Sequence, residues 1–314
     1  MAMSGGPGNA RRWIQRAFAV AVLVGLCVVL VNQWPRVRPH LDDLSAPALV
    51  GALASLVVAQ VLSLFAWRTI VTDLGSPLPL GSAARIYFVG QVGKYVPGSV
   101  WPVVAQMEMG RDAGVPRSRM AVSFVVTLLV SVVVGLGIGL PTLVSSGQSW
   151  VPALVAIALG LLVFLRPTLV NQVVDRGLRV VRRPPLEHQL SRSALLRCAG
   201  LYLLAWTAFG LHLWCLAVDV GAEPLTALPV AIAAFAVAAN LGTLFVIAPA
   251  GAGVREVLVV VGLGPVLATG PATAVALVSR LLVTLADVGA ALVALAAYRR
   301  QRRRPSASTA PQQR

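Results

Sequence analysis

Charge is scarce in this sequence, and lysine is scarcer still. Asp, Glu, Lys and Arg make up 12% of the 314 residues, and Lys94 is the single lysine among 26 basic residues. Against that, 57% of the chain is hydrophobic and its mean hydropathy is +0.82. A soluble domain is excluded, because so few polar groups cannot cover the surface that this much apolar side chain would need hidden. Cysteine is nearly absent. Cys27, Cys198 and Cys215 all sit in apolar runs, and neither a disulfide framework nor a metal spacing follows from them. Nucleotide-binding loops are missing: the GLGIG run at 135–139 has no strand before it and lies inside an apolar span, so it reads as helix packing. Direct ATP drive is therefore not expected. The net charge of +15 comes without an aromatic-basic platform or a DNA-binding motif, which argues against a nucleic-acid partner. The arginines instead cluster between long apolar runs, as they do in the cytoplasmic loops of polytopic membrane proteins.

What the chain does have is an apolar run, Gly90 to Met107, interrupted where a membrane helix would be smooth. Pro97 and Pro102 lack backbone donors, and Gly93 and Gly98 allow angles that other residues avoid, so a broken helix is expected. Backbone groups freed in hydrocarbon are costly, so such a segment survives only against protein or beside a wet cavity. It also carries Lys94. A second interruption, Pro249-Ala-Gly-Ala-Gly-Val-Arg-Glu256, follows a normal span in the other half of the chain. Interruptions in corresponding places of two halves point to an internally repeated transporter with its site at the repeat interface.

The expected fold is all-α: a polytopic integral membrane protein with about eight transmembrane helices, one or two re-entrant broken helices and an internal repeat. Residues 1–12 read as a disordered basic N-terminus, 13–298 as a single transmembrane domain and 299–314 as a disordered basic tail. Spans are expected at 13–34, 47–71, 120–144, 150–165, 198–218, 225–247, 254–268 and 271–298, and 254–268 is short enough to re-enter instead. The first run is too long for a signal-peptide core and reads as a retained span. Ser131, Gly135 and Gly139 make a small-residue ridge for close helix approach. Residues 173–181, in the arginine-rich connection 166–197, read as an amphipathic surface helix. If the first broken segment enters and leaves on one face, that face receives 21 arginines and the other only Arg36 and Arg38. The protein is therefore expected in the cytoplasmic membrane with both termini in the cytoplasm.

Charge inside the spans is limited to a few residues. Lys94 accompanies the first interruption, Arg255 and Glu256 the second, and Arg280 and Asp287 lie in the last span. A charge at mid-bilayer is retained when it is paired or faces a polar cavity. Arg280 and Asp287, seven residues apart, share a helix face but are too distant to bridge, so each is expected to reach another helix, unless Asp287 lies near a membrane face. Glu256 is the expected partner of Lys94 or Arg280. Two readings stand side by side: a salt-bridge network that fixes helix register, or a cationic pocket in which arginine makes bidentate phosphate contacts and lysine acts as a point charge. Gln106 and Glu108 would extend the first site toward its mouth, with Glu108 reading equally as a loop charge. Gln60 and Asn240 read as hydrogen-bonding glue between helices and His212 as a buried histidine. No metal, cofactor or catalytic residue is expected.

These motifs carry a resemblance. GKYVPGSVW at Gly93 to Trp101 with the following QMEMGRDAGV, PAGAGVRE at Pro249 to Glu256, and Arg280 with Thr284 make the chain resemble the transmembrane, flippase-like domain of lysylphosphatidylglycerol synthases and its stand-alone relatives. The likeness runs in motif order over most of the chain. It implies re-entrant segments that meet near the middle of the membrane and lipid translocation between leaflets. By carry-over, Lys94, Arg255, Glu256 and Arg280 would hold substrate, while Gly93, Pro97, Gly98, Pro249, Gly251 and Gly253 shape the backbone. Two positions depart from the family pattern: Val100-Trp101-Pro102 stands where Gly-Glu is commoner after the first Pro-Gly, and Asp287 stands where a proline is frequent. Either departure is compatible with another substrate. After Tyr298 only a short tail remains, so the aminoacyl-transfer step is not expected.

The expected function is a flippase for an anionic or modified lipid, amino-acylated or polyprenyl-linked, with membrane lipids as its partners and no enzymatic activity. One alternative is an intramembrane glycosyltransferase with a lipid-linked donor, for which the external loops offer only Asp42, Asp43, Asp219 and Glu223 as acids. The other is a scaffold subunit for a separately encoded lipid-modifying enzyme.

Overall fold

The computed structural model describes residues 44–96, 100–144, 166–180, 182–244, 251 and 253–303, with isolated positions within 24–35 and 155–160. The expected spans at 13–34 and 150–165, together with Pro97, Gly98 and Pro249, lie outside the described residues. The described chain forms nine α-helices: α1 (Ala46–Asp73), α2 (Leu80–Gln91), α3 (Trp101–Asp112), α4 (Arg117–Val144), α5 (Pro167–Val180), α6 (Arg192–Asp219), α7 (Pro224–Leu244), α8 (Val254–Leu263) and α9 (Thr269–Arg303).

Two matched helices make the spine. α1 and α6, 28 residues each, pack antiparallel, and each is capped by a serine whose Oγ accepts a first-turn N–H: Ser45 from Ala48 and Ser191 from Ala194. The carboxylate that ends each helix reaches the cap of the other. Asp73 accepts from Ser191 N and Oγ at 2.7 and 2.9 Å, and Asp219 accepts from Ser45 N and Oγ, both at 2.6 Å. Each acid thus sits at the positive end of its neighbour's helix dipole. The exits match as well, since Gly75 and Gly221 both take the left-handed backbone, with φ of +78° and +101°. After each exit comes a helical hairpin and then a long helix, α2–α3 with α4 and α7–α8 with α9. Because α1 and α6 run in opposite directions, the halves are related as an inverted repeat.

Both hairpins turn back inside the bundle. α2 and α3 have 12 residues each, about 18 Å of helix, and fold against one another with Gln106 packed on Gly90. Their outer ends meet again, Leu78 and Val115 packing in one cluster with Trp67, Ile86 and Met120. The first interruption therefore enters and leaves on one face, as expected. A 3-10 turn, Val92–Tyr95, carries the chain into the break. There a Cβ on Gly93 would stand 3.0 Å from the Pro102 nitrogen.

The second hairpin corrects the expectation that 254–268 crosses the membrane alone. α8 has 10 residues, about 15 Å, against a hydrocarbon core of about 30 Å. It starts inside the bundle, where the Glu256 carboxylate accepts the Gly253 N–H at 2.7 Å, and returns along α7 with Gly262 against Ala234. Val266 and Leu267 then pack beside Ala222 and Ala227 at the outer end of α7. Among the described residues five helices, α1, α4, α6, α7 and α9, are long and apolar enough to span. α9 also runs to Arg303, past the expected start of the tail at 299, and the Arg85 guanidinium lies 4.5 Å from the centre of its Tyr298 ring.

The small-residue ridge on α4 works as expected. Trp206 Nε1 donates to Ser131 O at 2.9 Å, and a Cβ on Gly139 would meet Val237 at 2.5 Å. The expected amphipathic helix is α5, which turns Val170, Val174 and Leu178 toward the core. One face of the molecule gathers the ends near residues 45, 220 and 267; the other gathers the loops at 74–79, 113–116 and 182–191 and the end of α9. Arg119 ties the second face together, donating to Gly75 O at 3.1 Å and pairing with Glu187 at 2.5 Å. Among the described residues, every arginine except Arg255 and Arg280 belongs to this second face, while the first carries Asp219 and Glu223.

Gly251 has φ +69°, and a Cβ there would stand 2.8 Å from Gly242 O. Gly251→Ala is expected to lower the thermal unfolding midpoint in detergent, the backbone strain alone costing about 1–3 kcal/mol. Gly137→Ala, at a helical site with nothing within 4 Å of its Cβ, should leave the midpoint unchanged or raise it slightly.

Candidate functional site

The inner ends of the two hairpins border one cavity of about 530 Å³. Its wall draws on both halves: Gln60, Ser63 and Trp67 of α1, Tyr87 and Gln91 of α2, Lys94, Pro102 and Gln106 across the first break, and Asn240, Gly242, Gly251 and Arg255 around the second. α4, α6 and α9 close it with Thr127, Ser131, Tyr202, Trp206, Val283 and Asp287. On α1 the lining runs from Gln60, halfway along the helix, to Trp67, two turns nearer the arginine-rich face. The cavity thus reaches from the middle of the bundle toward that face.

Asp287 is its fixed negative charge. The residue is 8% exposed, and three side chains converge on it: Lys94 Nζ at 2.6 Å and the Tyr95 hydroxyl at 2.7 Å on Oδ2, and Gln60 Nε2 at 3.0 Å on Oδ1. This arrangement settles how Lys94 is held at the break. Its partner is Asp287 of α9 rather than Glu256, and Asp287 lies within the bundle rather than at a membrane face.

Glu256 takes the other expected partner, Arg280, at 3.4 Å. Its second oxygen caps α8 through Gly253 N, which fixes the carboxylate at the start of that short helix. Arg280 is 3% exposed. Neither residue lines the cavity; the pair stands behind its wall.

Arg255, next in sequence to Glu256, points the other way and lies in the lining with its guanidinium 4.5 Å from the centre of the Phe235 ring. No carboxylate among the described residues pairs with it. The charges that line the cavity are therefore Lys94, Asp287 and Arg255, and with the first two paired one positive charge is in surplus. An arginine held over an aromatic ring in a cavity wall, without a carboxylate partner among the described residues, is disposed to bind an anion through its fork of N–H donors.

The remaining expectations sort by position. Gln106 is fully buried and lines the cavity. Glu108 bridges Arg117 and Arg111 at the surface, which makes it a loop charge. Gln60 is indeed interhelical glue, and Asn240 bonds back to Ala236 O at 2.7 Å while lining the cavity. His212 is buried against Ser279 Oγ at 2.8 Å, away from the lining. Tyr95 and Trp67 are the site residues that motif reading passed over; Asp287 was singled out as an in-span charge, but not as the partner of Lys94. The signal available for Tyr95 was its place directly after Lys94 in the first interruption. Among the described residues there is no cluster able to hold a metal ion.

An inverted repeat of membrane-spanning helices, with two broken hairpins facing a largely apolar cavity that carries three charged side chains, defines a multi-pass membrane protein organised around an internal site. Residues 16–291 match the lysylphosphatidylglycerol synthase TM region family, and the chain belongs to that family. No curated protein matches it.

The ion pair gives a direct test. Removing Lys94 alone strands the Asp287 carboxylate, so Lys94→Met should destabilise the protein. Full burial would set the loss at about 3–5 kcal/mol, and the partial exposure of Lys94 reduces it to about 1–3 kcal/mol. Lys94→Met combined with Asp287→Leu should recover most of the loss in thermal unfolding, because no charge is then left without its partner.

Proposed function

We propose that the protein moves a lipid with an anionic headgroup across the membrane. The observation that carries this reading is the surplus charge of Arg255 in an amphipathic cavity shared by both hairpins. A charged headgroup in bare hydrocarbon meets a large desolvation penalty, and a path lined by hydrogen-bonding groups and one unneutralised guanidinium lowers it. Membership of the family, whose members work on membrane lipids, supports the same reading. The inverted repeat supplies a mechanism for alternating access: rocking one half against the other would close the cavity toward the arginine-rich face and open it toward the opposite one.

On this reading the protein sits in the cytoplasmic membrane with the arginine-rich face inward and both termini on that side, since positive loops stay in the cytoplasm. The lipid itself is the partner, and the protein acts as a carrier rather than an enzyme. The two ion pairs, Lys94 with Asp287 and Arg280 with Glu256, hold the hairpins in register around the path, and Arg255 meets the headgroup.

Reconstitution into liposomes with fluorescent anionic, zwitterionic and cationic lipids tests this reading through the accessibility of label in the outer leaflet. Anionic lipid should move fastest, and Arg255→Ala should slow it about 10- to 100-fold, the worth of one charge-assisted contact. Arg111→Ala, at the surface, should have no effect. Failure of every lipid to move would favour a scaffold for a lipid-modifying enzyme or a lipid-linked glycosyltransferase.

A further inference from the structure

Away from the cavity, the arginine-rich face carries one helix, α5, whose outward side has no partner among the described residues. α5 starts at Pro167, just after the apolar run 150–165, and residues 181–191 alone separate its end from the start of α6. Both of its ends are therefore held near the membrane surface. Val170, Val174 and Leu178 seat it on the core, and Asn171 exchanges two hydrogen bonds with the backbone of Leu190, at 3.0 and 3.1 Å. The helix, about 21 Å long, thus lies along this face rather than projecting from it.

Its far side is a second apolar stripe set among arginines. At about 100° per residue, Leu169, Val173, Arg176 and Val180 fall within about 40° of the direction opposite Leu178. Val173 is 63% and Val180 83% exposed. Arg166, Arg176, Arg179, Arg182 and Arg183 are exposed too, and no side chain of the five bonds to or pairs with a described residue. The acids of the segment leave this charge in place. Glu187 is taken by Arg119, and Asp175 stands toward the seated side, about 60° from Leu178.

We propose that this outward side of α5 is a docking surface for the anionic headgroups of the leaflet it borders. A helix at headgroup level presents its valines to the acyl boundary, while its long arginine side chains reach back to the phosphates. Charge decides the partner here, because two exposed valines bury little and five guanidiniums without counter-ions lie within a Debye length of the surface. The anionic content of the leaflet therefore sets the docking. A nucleic acid is a poorer match, since 166–183 has no aromatic side chain on which bases could stack. The loop after α5 is tied to α1 through Ser191 and Asp73, and to α4 through Glu187 and Arg119. Docking of α5 thus steadies the end of the bundle toward which the cavity extends. The surface lies apart from the cavity and requires no lipid to cross the membrane.

The test uses the full chain, with its native cysteines replaced by serine, in nanodiscs that leave both faces open to solvent. A fluorophore on Val173→Cys, and separately on Val180→Cys, would report access to neutral acrylamide in discs of phosphatidylcholine and in discs with phosphatidylserine admixed. With phosphatidylserine the label should be shielded several-fold better and quenched by a nitroxide-bearing lipid. Arg176→Gln together with Arg179→Gln, checked for an unchanged unfolding midpoint, should shift docking toward solvent about 10- to 30-fold. High salt should do the same to the chain that keeps both arginines. Equal access in the two kinds of disc, with or without the arginines, would overturn the proposal. Shielding that comes only with added polyglutamate or an oligonucleotide would assign the surface to a soluble polyanion and overturn the lipid. Lipid movement in liposomes is read separately: docking without movement keeps this surface and sinks the carrier reading, whereas movement with a solvent-exposed label does the reverse.

Discussion

One carboxylate at the centre of the bundle holds the two halves of this protein in register. Asp287 brings a negative charge into a spanning helix, where it persists only because Lys94, Tyr95 and Gln60 converge on its two oxygens. Those partners come from α1 and from the 3-10 turn that enters the first break, so the contact fixes how deep the first hairpin reaches and how α9 is rotated against it. The break in turn forms part of the cavity wall. Without a fixed anion at this point, the only lysine of the chain would stand unpaired beside a segment whose own backbone is interrupted.

The halves repeat each other in architecture and differ in their chemistry. Serine caps, terminal aspartates and left-handed glycines recur at the ends of α1 and α6, and each helix leads into a hairpin that turns back inside the bundle. In the first half the charge precedes the break and is neutralised from the other half. In the second half the charges follow the break on one turn of α8, where adjacent side chains diverge: Glu256 turns back to cap its own helix and pair with Arg280, and Arg255 turns into the cavity. The surplus positive charge is therefore a product of the asymmetry between two otherwise matched hairpins. It gives the cavity a preference for anions that a fully paired site would lack.

Much of this was readable in the sequence. Glycine and proline interrupt two apolar runs, and both interruptions proved to be hairpins, because broken backbone has no other place in a membrane than against protein or a polar cavity. The apolar runs at 47–71, 120–144 and 198–218 became α1, α4 and α6 with only small shifts at their ends. Charge pairing was less legible. Lys94 meets Asp287, and Glu256 goes to Arg280 alone, because partnership depends on helix rotation and hairpin depth, which residue spacing along one segment does not encode. The half-length of α8 was hidden by the apolar residues after it, Val266 and Leu267, which continue the hydrophobic run through a turn. Trp67 gives no site signal in the sequence because its position near a helix end hides the fact that the first hairpin folds over it.

The central claim is that a cavity with one surplus positive charge lies at the meeting of the hairpins, and charged thiol reagents measure it directly. With the native cysteines replaced by serine, Asn240→Cys would place a thiol in the lining, on the helix that packs against Arg255 at Gly242. In liposomes, a small anionic methanethiosulfonate should react with this thiol several-fold faster than a cationic one of similar size, and Arg255→Gln should abolish the preference. Equal rates for the two reagents, a preference for the cation, or no reaction with either would contradict the account.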